Sequence, residues 1–382
     1  MKLIKNADVY APEHLGMRDI LIEGEKLLKI SPSIQGYDGL EGVEVYDLNG
    51  AKTVPGYIDL HIHITGGGGE QGPASRVPEL PLTQLTKNGV TAVIGLLGTD
   101  GVSRSLENLL FKCRALNEEG VSCYMLTGSY RYPSMTLTGS VIDDIALIDR
   151  VVGVKVALAD HRSSNLTVEE LIRLGSDARM GGILSGKPGF VTIHMGNGKE
   201  RFRRLFKAVE QSDVPVKTYF PTHVARSREM IEDAARFTQM GGRVDFTAGE
   251  PGGTFTMMRD AVESFSAIPE CMTLSSDAYG SQPVFDESGA CTGMTYTSPG
   301  VLHEELKAAV HNKAFTLEEV LGFLTRNPAR VLGLEGVKGE VKEGADADLV
   351  VYGEGLSIRH VFARGRHMVK DGEPIVKGRF EA

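Results

Sequence analysis

Eight short runs of apolar and β-branched residues recur through the middle of this chain, separated by stretches with helical periodicity. Several runs are apolar at nearly every position, as at 91–98 (TAVIGLLG), which is typical of strands buried on both faces of a parallel sheet. Eight such strands, each followed by a helix, predict an α/β fold of the (β/α)8 TIM-barrel type. The predicted strands are 56–64, 91–98, 122–129, 151–158, 190–195, 216–223, 243–248 and 272–277.

The predicted helices lie between these strands. Residues 105–112 and 167–172 are amphipathic, and the second stretch opens with a capping-box pattern, Thr167 followed by Glu170. Further helical segments, 302–312 and 316–333, follow the last predicted strand.

Both ends of the 382-residue chain differ from its middle, because they contain short alternating strands and turns. Examples are 19–24 near the start and 347–352 and 358–363 near the end. We expect residues 1–53 and 335–382 to form one small β-sandwich domain. The barrel then occupies 54–334, and the chain length suits one large and one small domain.

Composition limits the functional classes. The net charge of −9 and pI near 5.7 argue against a nucleic-acid partner. No apolar run is long enough for a membrane span, and the first residues turn polar too early for a signal peptide. The four cysteines show no CxxC spacing, which favours reduced thiols and a cytoplasmic location; they are Cys113, Cys123, Cys271 and Cys291.

A His-x-His pair, His61 and His63, ends the first predicted strand and is followed by a glycine-rich loop, 66–69, and Glu70. Residues two apart on a strand point to the same side, so both imidazoles can reach one point. Such a pair also occurs by chance, and the metal interpretation therefore depends on further ligands elsewhere.

Other polar side chains fall on the predicted strands, mostly at their carboxyl ends, where chemistry collects in this type of barrel. They are Lys155 in strand four, His194 in strand five, His223 in strand six and Asp277 in strand eight. Any one of these histidines alone is more simply a hydrogen-bonded core residue. Five separate strand matches make that interpretation poor for the group.

Lys155 lies inside an apolar strand, where a protonated amine carries a large desolvation cost. One interpretation is that its side chain reaches a strand end or pairs with an acid. The other is that burial lowers its pKa and the neutral amine adds CO2, giving N6-carboxylysine. The other ligands favour this carbamate, because it is an anionic ligand able to bridge two cations.

The predicted ligands divide into two sites that share Lys155. The deeper cation is expected on His61, His63, Lys155 and Asp277, and the outer cation on Lys155, His194 and His223. Imidazole and carboxylate ligands without thiolate suit Zn²⁺, with manganese, cobalt and nickel as competitors. Two cations about 3.5–4 Å apart share a nucleophilic hydroxide. We expect Asp277 to take its proton and pass it to the leaving nitrogen.

This pattern of His-x-His, lysine, two histidines and aspartate resembles the amidohydrolase superfamily, as does the segment 344–351 (GADADLVV). Within the superfamily, the chain is most similar to the isoaspartyl dipeptidases. The segments that carry this second resemblance are 66–70, 127–131, 159–164, 221–226 and 276–283.

The resemblance implies a metallo-dipeptidase that cleaves the isopeptide bond of β-aspartyl dipeptides. It implies that Glu70 holds the α-ammonium, that Arg162 and Arg226 bind carboxylates, and that Tyr130 donates to the oxyanion. Thr99 and Ser281 are the further implied substrate contacts. One departure is visible, since residues 278–279 (Ala-Tyr) are bulkier than the family pattern and put the Ser281 contact in question.

The charges also fit this substrate without the resemblance. One acid and two arginines suit a small zwitterion with one amine and two carboxylates, although surface ion pairs are the commoner fate of an arginine. The alternatives are a hydantoinase- or dihydroorotase-like cyclic-amide hydrolase, an N-acyl-amino-acid deacylase, or a metal-free scaffold protein. We expect no nucleic-acid or membrane partner, and a homo-oligomer from the resemblance.

Overall fold

The computed structural model describes residues 1–249, 253–285 and 291–381. Its centre is an eight-stranded parallel sheet in which the strands follow one another in chain order from β6 to β13. The strands are β6 (Tyr57–Ile62), β7 (Val90–Gly95), β8 (Ser122–Gly128), β9 (Val151–Leu158), β10 (Phe190–Met195), β11 (Tyr219–Thr222), β12 (Val244–Thr247) and β13 (Met272–Ser275).

The sheet curls into a nearly closed barrel. Its first and last strands meet through an isolated bridge between Ile62 and Ala278, and the amide of His63 donates to the carbonyl of Ala278 at 2.9 Å. All eight predicted strands are present; the sixth is shorter than expected because residues 216–218 form a 3-10 turn.

Helices follow the strands and cover the outside of the barrel. Ser105 caps α2, and Thr167 with Glu170 forms the predicted capping box of α4. Among the described residues, no helix combines the length and apolar character needed to cross a bilayer. The helices are α1 (Leu82–Thr86), α2 (Leu106–Glu119), α3 (Val141–Leu147), α4 (Val168–Ser185), α5 (Arg203–Glu210), α6 (Arg228–Gln239), α7 (Gly253–Phe265), α8 (Val301–His311), α9 (Leu317–Leu321) and α10 (Asn327–Val331).

Two departures from the simple strand–helix alternation occur late in the chain. A hairpin, β14 (Ser281–Phe285) and β15 (Cys291–Tyr296), stands between β13 and α8. The predicted helix 316–333 is split into α9 and α10 by a π-helical turn at Gly322–Arg326.

The chain ends form a second sheet of nine strands. Strand β5 lies between β1 from the N-terminal segment and β16 from the C-terminal segment, so it joins both ends to the barrel. The strands are β1 (Lys2–Tyr10), β2 (His14–Glu23), β3 (Lys26–Ser31), β4 (Glu44–Asp47), β5 (Lys52–Pro55), β16 (Leu349–Tyr352), β17 (Ile358–Ala363), β18 (Arg366–Lys370) and β19 (Glu373–Pro374).

The predicted fold class, a (β/α)8 barrel with a β-domain made from both chain ends, is confirmed. The boundaries at 1–53, 54–334 and 335–382 stay a prediction, and these ranges include residues 250–252, 286–290 and 382, which lie outside the described part of the chain. Strand β5 spans the first boundary.

The barrel interior is apolar at one end and polar at the other. An apolar cluster at the amino ends of the strands includes Phe190 and Phe220. It packs against Ala329 and Val331 of α10 and against Leu332 directly after that helix. Because this end is filled by side chains, a ligand can approach the interior only from the carboxyl ends of the strands.

Candidate active site

A register irregularity in β6 sets the direction of the His-x-His pair. Before the irregularity, Ile58 and Leu60 belong to the apolar cluster inside the barrel. After it, Ile62 belongs to the cluster between the barrel and its helices. His61 and His63 therefore face the barrel interior, and their ring centroids lie 5.7 Å apart. Since strand side chains alternate, an unbroken strand would have put Leu60 and His61 on opposite sides.

The other predicted ligands lie on or directly after their strands. Lys155 is fully buried in β9, and His194 is buried in β10. His223 and Asp277 follow β11 and β13 in left-handed backbone, with φ of 62° and 50°. Histidine and aspartate are among the few non-glycine residues that adopt this conformation readily, and strained backbone of this kind collects at functional sites.

These six side chains converge on one buried point. Lys155 Nζ lies 2.9 Å from His61 Nε2, and Asp277 Oδ1 lies 3.4 Å from the same nitrogen. His63 Nε2 is 3.2 Å from Asp277 Oδ1. The His223 ring centroid lies 4.9 Å from that of His61 and 4.5 Å from that of His194.

Burial changes the protonation of this cluster. Desolvation lowers the pKa of Lys155 to about 7 and that of His194 to about 3, and it lowers the pKa values of His61 and His223 well below their ordinary range. Burial opposes ionisation of Asp277, but the hydrogen bond from His63 and electrostatic attraction to the neighbouring imidazole and amine groups hold its pKa well below its usual range. The site thus favours neutral imidazoles, a partly neutral amine and an ionised carboxylate.

Tyr130 lies beside this cluster at the end of β8. Its hydroxyl is 2.7 Å from Nδ1 of His194, and the side chain is 7% exposed. Burial raises its pKa far above the ordinary value, so the phenol stays protonated and acts as a donor.

A cavity of about 940 Å³ opens above the cluster, and charged side chains of both signs line it. Glu70 Oε1 lies 3.7 Å from Arg162 Nη1, and Glu70 Oε2 is buried without a hydrogen-bond partner among the described residues. Arg162 Nη1 is 3.5 Å from the Thr99 hydroxyl. Arg226 is exposed to the cavity.

Ser281 also lines the cavity, next to Gly280 and Gln282. The bulky neighbour in question, Tyr279, packs on Tyr296 of β15 with ring centroids 5.1 Å apart. Gly280 is required here, because a Cβ at this position would lie 2.9 Å from both Asp277 Oδ1 and His63 Cδ2. Because Tyr279 packs on Tyr296, the extra bulk of its side chain is directed towards the hairpin of β14 and β15.

Comparison with known proteins gives a family to this arrangement. The model of the amidohydrolase family matches residues 53–368, which is most of the chain. The chain belongs to the amidohydrolase family. The predicted superfamily is thereby confirmed.

Solved structures and a curated relative give more detail on this amidohydrolase. The β-aspartyl dipeptidase from Fervidobacterium islandicum AW-1, in complex with a β-Asp-Leu dipeptide, is 40% identical, with a TM-score of 0.91 and coverage of 98% of this chain and 97% of that one. The predicted resemblance to isoaspartyl dipeptidases is therefore confirmed. The D-hydantoinase (dihydropyrimidinase) from Thermus sp. shares the fold, at 16% identity and TM-score 0.69, with coverage of 100% and 98%. A dihydroorotase from Elusimicrobium minutum is 24% identical in an alignment of 392 positions, which covers 91% of this chain and 87% of that protein.

The amidohydrolase has donor atoms suited to a metal at the cluster. One ligand atom each from His61, His223 and Asp277 lies within 4.8 Å of the other two. His223 Nδ1 is bonded to the Thr247 hydroxyl at 2.7 Å, while its Nε2 is buried without a hydrogen-bond partner in the described part of the chain. Neutral imidazole nitrogen and ionised carboxylate oxygen are ligands that Zn²⁺ and similar divalent cations accept, so the residues fit such a group.

Two residues of the site carry no role in the sequence-based prediction. Asp160 accepts hydrogen bonds from Arg162 and lies 3.1 Å from His194, and Thr247 contacts His223. One feature of the sequence could have indicated Asp160: it lies two residues before Arg162, at the position from which an aspartate side chain accepts a hydrogen bond from the Arg162 amide. Thr247 at the end of β12 carries no signal, because a strand threonine has many other uses.

Proposed function

We propose that this amidohydrolase hydrolyses the isopeptide bond of β-aspartyl dipeptides with the help of two divalent cations. One observation carries the proposal: Glu70, Arg162 and Arg226 line a single cavity directly above the cluster of His61, His223, Asp277 and the other predicted ligands. The 40% identical relative, whose structure contains a β-Asp-Leu dipeptide, supports the same substrate class.

The charges of the cavity match those of the proposed substrate. A β-aspartyl dipeptide carries one ammonium and two carboxylates. Within the described ranges Glu70 Oε2 has no hydrogen-bond partner and is available to the ammonium, and the guanidinium groups of Arg162 and Arg226 face the same space. Arginine binds carboxylates through paired donors and stays charged. Thr99 and Ser281 supply neutral hydrogen-bonding groups at the cavity wall.

The cluster residues divide as ligands of the two proposed cations. His61, His63, Lys155 and Asp277 would hold one cation, and Lys155, His194 and His223 the other. Bound Zn²⁺ would supply Lewis acidity and a nucleophile derived from water near neutral pH. Lys155 favours N6-carboxylation, because burial leaves a substantial fraction of its amine neutral at neutral pH and able to add CO2 with loss of a proton.

Proton transfer falls to Asp277. Its carboxylate is ionised and lies against both histidines of β6, so Oδ1 accepts the proton of the attacking water and returns it to the leaving amide nitrogen. Tyr130 holds its hydroxyl proton at the edge of the cluster and donates it in a hydrogen bond to the oxygen on which charge develops.

A substrate panel tests this function. Purified protein with quantified metal is assayed with β-Asp-Leu, α-Asp-Leu, N-acetyl-β-Asp-Leu and dihydroorotate. We expect turnover of β-Asp-Leu alone among these four, since an ammonium bound by Glu70 and carboxylates bound by the arginines would hold the side-chain carbonyl towards the cluster. Faster turnover of dihydroorotate or of the acetylated peptide would instead assign a cyclic-amide hydrolase or a deacylase.

Asp277→Asn tests the proton transfer. We expect kcat for β-Asp-Leu to fall about 10²- to 10⁴-fold, with most of the bound metal retained, because the amide cannot accept the proton but keeps the shape of the side chain. The measurement is steady-state kinetics with metal analysis on the same sample. A variant with the wild-type kcat would remove Asp277 from this role.

A further inference from the structure

We propose that Asp160 is a positioning residue that acts on both halves of the site through a single carboxylate: it orients Arg162 towards the substrate carboxylate and fixes the nitrogen that His194 offers to a cation. The inference rests on the proposed function and deepens it. Asp160 stands directly after β9, and its side chain is 5% exposed.

The first half concerns the two hydrogen-bonding edges of the Arg162 guanidinium. Nε donates to Asp160 Oδ1 at 2.9 Å, and Nη2 donates to Asp160 Oδ2 at 2.9 Å. This paired arrangement occupies one edge completely. Nη2 also lies 3.3 Å from His194 Nε2, and the donors on Nη1 face Thr99, Glu70 and the cavity. Asp160 thus directs the free edge to the place where a substrate carboxylate binds.

The second half concerns the tautomer of His194. Its Nε2 lies 3.1 Å from Asp160 Oδ2, and its Nδ1 lies 2.7 Å from the Tyr130 hydroxyl. An ionised carboxylate only accepts hydrogen bonds, so the short contact requires the proton on Nε2. Nδ1 then carries the lone pair, which accepts from the Tyr130 hydroxyl in this structure and would be available to a cation once that hydroxyl donates to the substrate oxygen instead. The opposite assignment holds for His223, whose Nδ1 bonds Thr247 and whose Nε2 has no hydrogen-bond partner among the residues that the structure describes.

The backbone around Asp160 is built to hold this carboxylate in place. Ala159 is in left-handed conformation with φ of 53°, and the Gly198 amide donates to its carbonyl at 2.6 Å. Gly196 follows β10, only two residues after His194. A Cβ at Gly196 would lie 2.5 Å from the Cα and Cβ of Asp160, so the absence of a side chain there lets the two loops touch.

The test compares Asp160→Asn with Arg162→Met and with Asp143→Asn, an exposed aspartate in the first turn of α3 that serves as the matched control. The asparagine amide turns one acceptor into a donor that faces the donors of Arg162 or His194. Two quantities are measured on each protein: the competition of a chromophoric chelator for Zn²⁺ without substrate, and KM for β-Asp-Leu.

We expect Asp160→Asn to weaken zinc binding about 10- to 100-fold, as for a carboxylate behind a ligand histidine, and to raise KM about 10- to 100-fold through Arg162. Arg162→Met should raise KM similarly with zinc binding within about twofold of wild type, and Asp143→Asn should change neither. An Asp160→Asn protein with wild-type zinc binding overturns the tautomer role, and one with wild-type KM overturns the orienting role.

Circular dichroism and the thermal midpoint show whether each variant folds. If Asp160→Asn does not fold, Asp160→Ser repeats both measurements, because it removes the charge without placing an amide donor against Arg162. The zinc measurement needs no substrate. A wild-type protein that binds zinc but does not cleave β-Asp-Leu therefore refutes the proposed function separately from the role of Asp160 towards His194.

Discussion

Lys155 shows how much one residue depends on its surroundings. It is fully buried in β9, beside His61, and desolvation brings its pKa to about 7. The sequence indicates that a lysine in an apolar strand is unusual, and the structure adds that three histidines and Asp277 surround it. A buried amine of this kind is either a cost to folding or a functional group.

Lys155→Arg separates these two roles. A guanidinium keeps the positive charge, cannot form a carbamate and repels a divalent cation, so we expect bound zinc to fall at least about tenfold and activity to fall with it. The measurement is metal content per chain, together with an intact mass recorded under native conditions, where the wild type should carry the added mass of CO2.

Lys187→Arg is the matched control for this substitution. Burial also lowers the pKa of Lys187, but its Nζ donates to the Ile148 carbonyl, and both residues precede the amino ends of their strands, β10 and β9, whereas the cluster lies towards the carboxyl ends. The Lys187→Arg protein should therefore keep its zinc. Full zinc occupancy in Lys155→Arg would contradict the ligand assignment.

At the scale of elements, the glycine-rich loop after β6 is held by a buried arginine. Arg104 is 8% exposed and donates to the carbonyls of Thr65, Gly67 and Val77. These three bonds fix both ends of the loop that carries Glu70. The sequence shows the loop but not its partner, which lies on the segment after the next strand.

Arg104→Met removes the donors and leaves these carbonyls unpaired. We expect kcat/KM for β-Asp-Leu to fall about 10- to 100-fold, because Glu70 loses its position, and zinc binding to stay unchanged. Arg76→Met is the control, since Arg76 lies on the same loop and makes a single 3.4 Å bond to the Ser103 carbonyl. Equal kinetics for Arg104→Met and wild type would show that the loop holds its shape without the arginine.

A second element-scale feature is a buried ion cluster behind the GADADLVV segment. Lys338 is 3% exposed and contacts Asp346 at 2.7 Å and Asp348 at 2.6 Å. Burial disfavours the charged amine, but the two carboxylates raise the pKa of Lys338 above its ordinary value. Burial likewise opposes ionisation of Asp346, yet Lys338 and Lys26 lower its pKa.

Lys338→Met should lower the free energy of unfolding by about 3–5 kcal/mol at pH 7, because the buried Asp348 loses its ion pair and Asp346 keeps only the half-exposed Lys26 among the described residues. The lowered pKa of Asp346 means that its contribution is present above its unfolded value and is lost as the pH falls through the folded value. The raised pKa of Lys338 extends the interaction to alkaline pH. The difference in the free energy of unfolding between wild type and Lys338→Met should therefore narrow below about pH 4.

Denaturant unfolding at pH 7 and pH 3.5 measures this gap. Lys26→Met is the control, because Lys26 contacts the same Asp346 with a side chain that is 50% exposed, and such a pair contributes at most about 1 kcal/mol. A gap that does not change with pH would mean that Lys338 acts through packing alone.

At the scale of the whole molecule, barrel and β-domain share one core. Val350, Tyr352 and Met368 of the C-terminal strands belong to the same buried cluster as Tyr57 and Val90 of the barrel. The Tyr57 hydroxyl bonds both His303 and Tyr352, so α8, β6 and β16 meet at one polar contact. The two parts are therefore expected to fold as one unit.

A chain reduced to residues 54–334 tests this expectation. It removes the apolar side chains that now cover Tyr57 and Val90, and it leaves the remaining half of β5 without its neighbours β1 and β16. We expect aggregated or partly folded protein by size-exclusion chromatography and circular dichroism, beside a well-folded full chain. A monomeric, cooperatively unfolding fragment would show that the barrel is independent. The number of subunits of the full chain stays a prediction from resemblance.

Periodicity and residue type predict most of the fold. Runs such as 151–158 and 190–195 coincide with β9 and β10, since a continuous apolar run between turns has few other uses in a chain of this length. The hairpin of β14 and β15 and the π-helical turn at Gly322–Arg326 were not predicted. Both depend on packing around them, and local sequence carries little of that information.

The sequence by itself determined the strand order, the family and the identity of the six converging side chains, because strand periodicity and strand ends can be read along the chain. Only the tertiary structure decided which way His61 and His63 point, through the register irregularity in β6. It also decided which residues support the site: Asp160 and Thr247 contact ligand histidines, and Arg104 holds the loop that carries Glu70. The physical reason is distance along the chain. A hydrogen bond between residues more than twenty positions apart depends on how the strands close into a barrel, and no local pattern encodes that geometry.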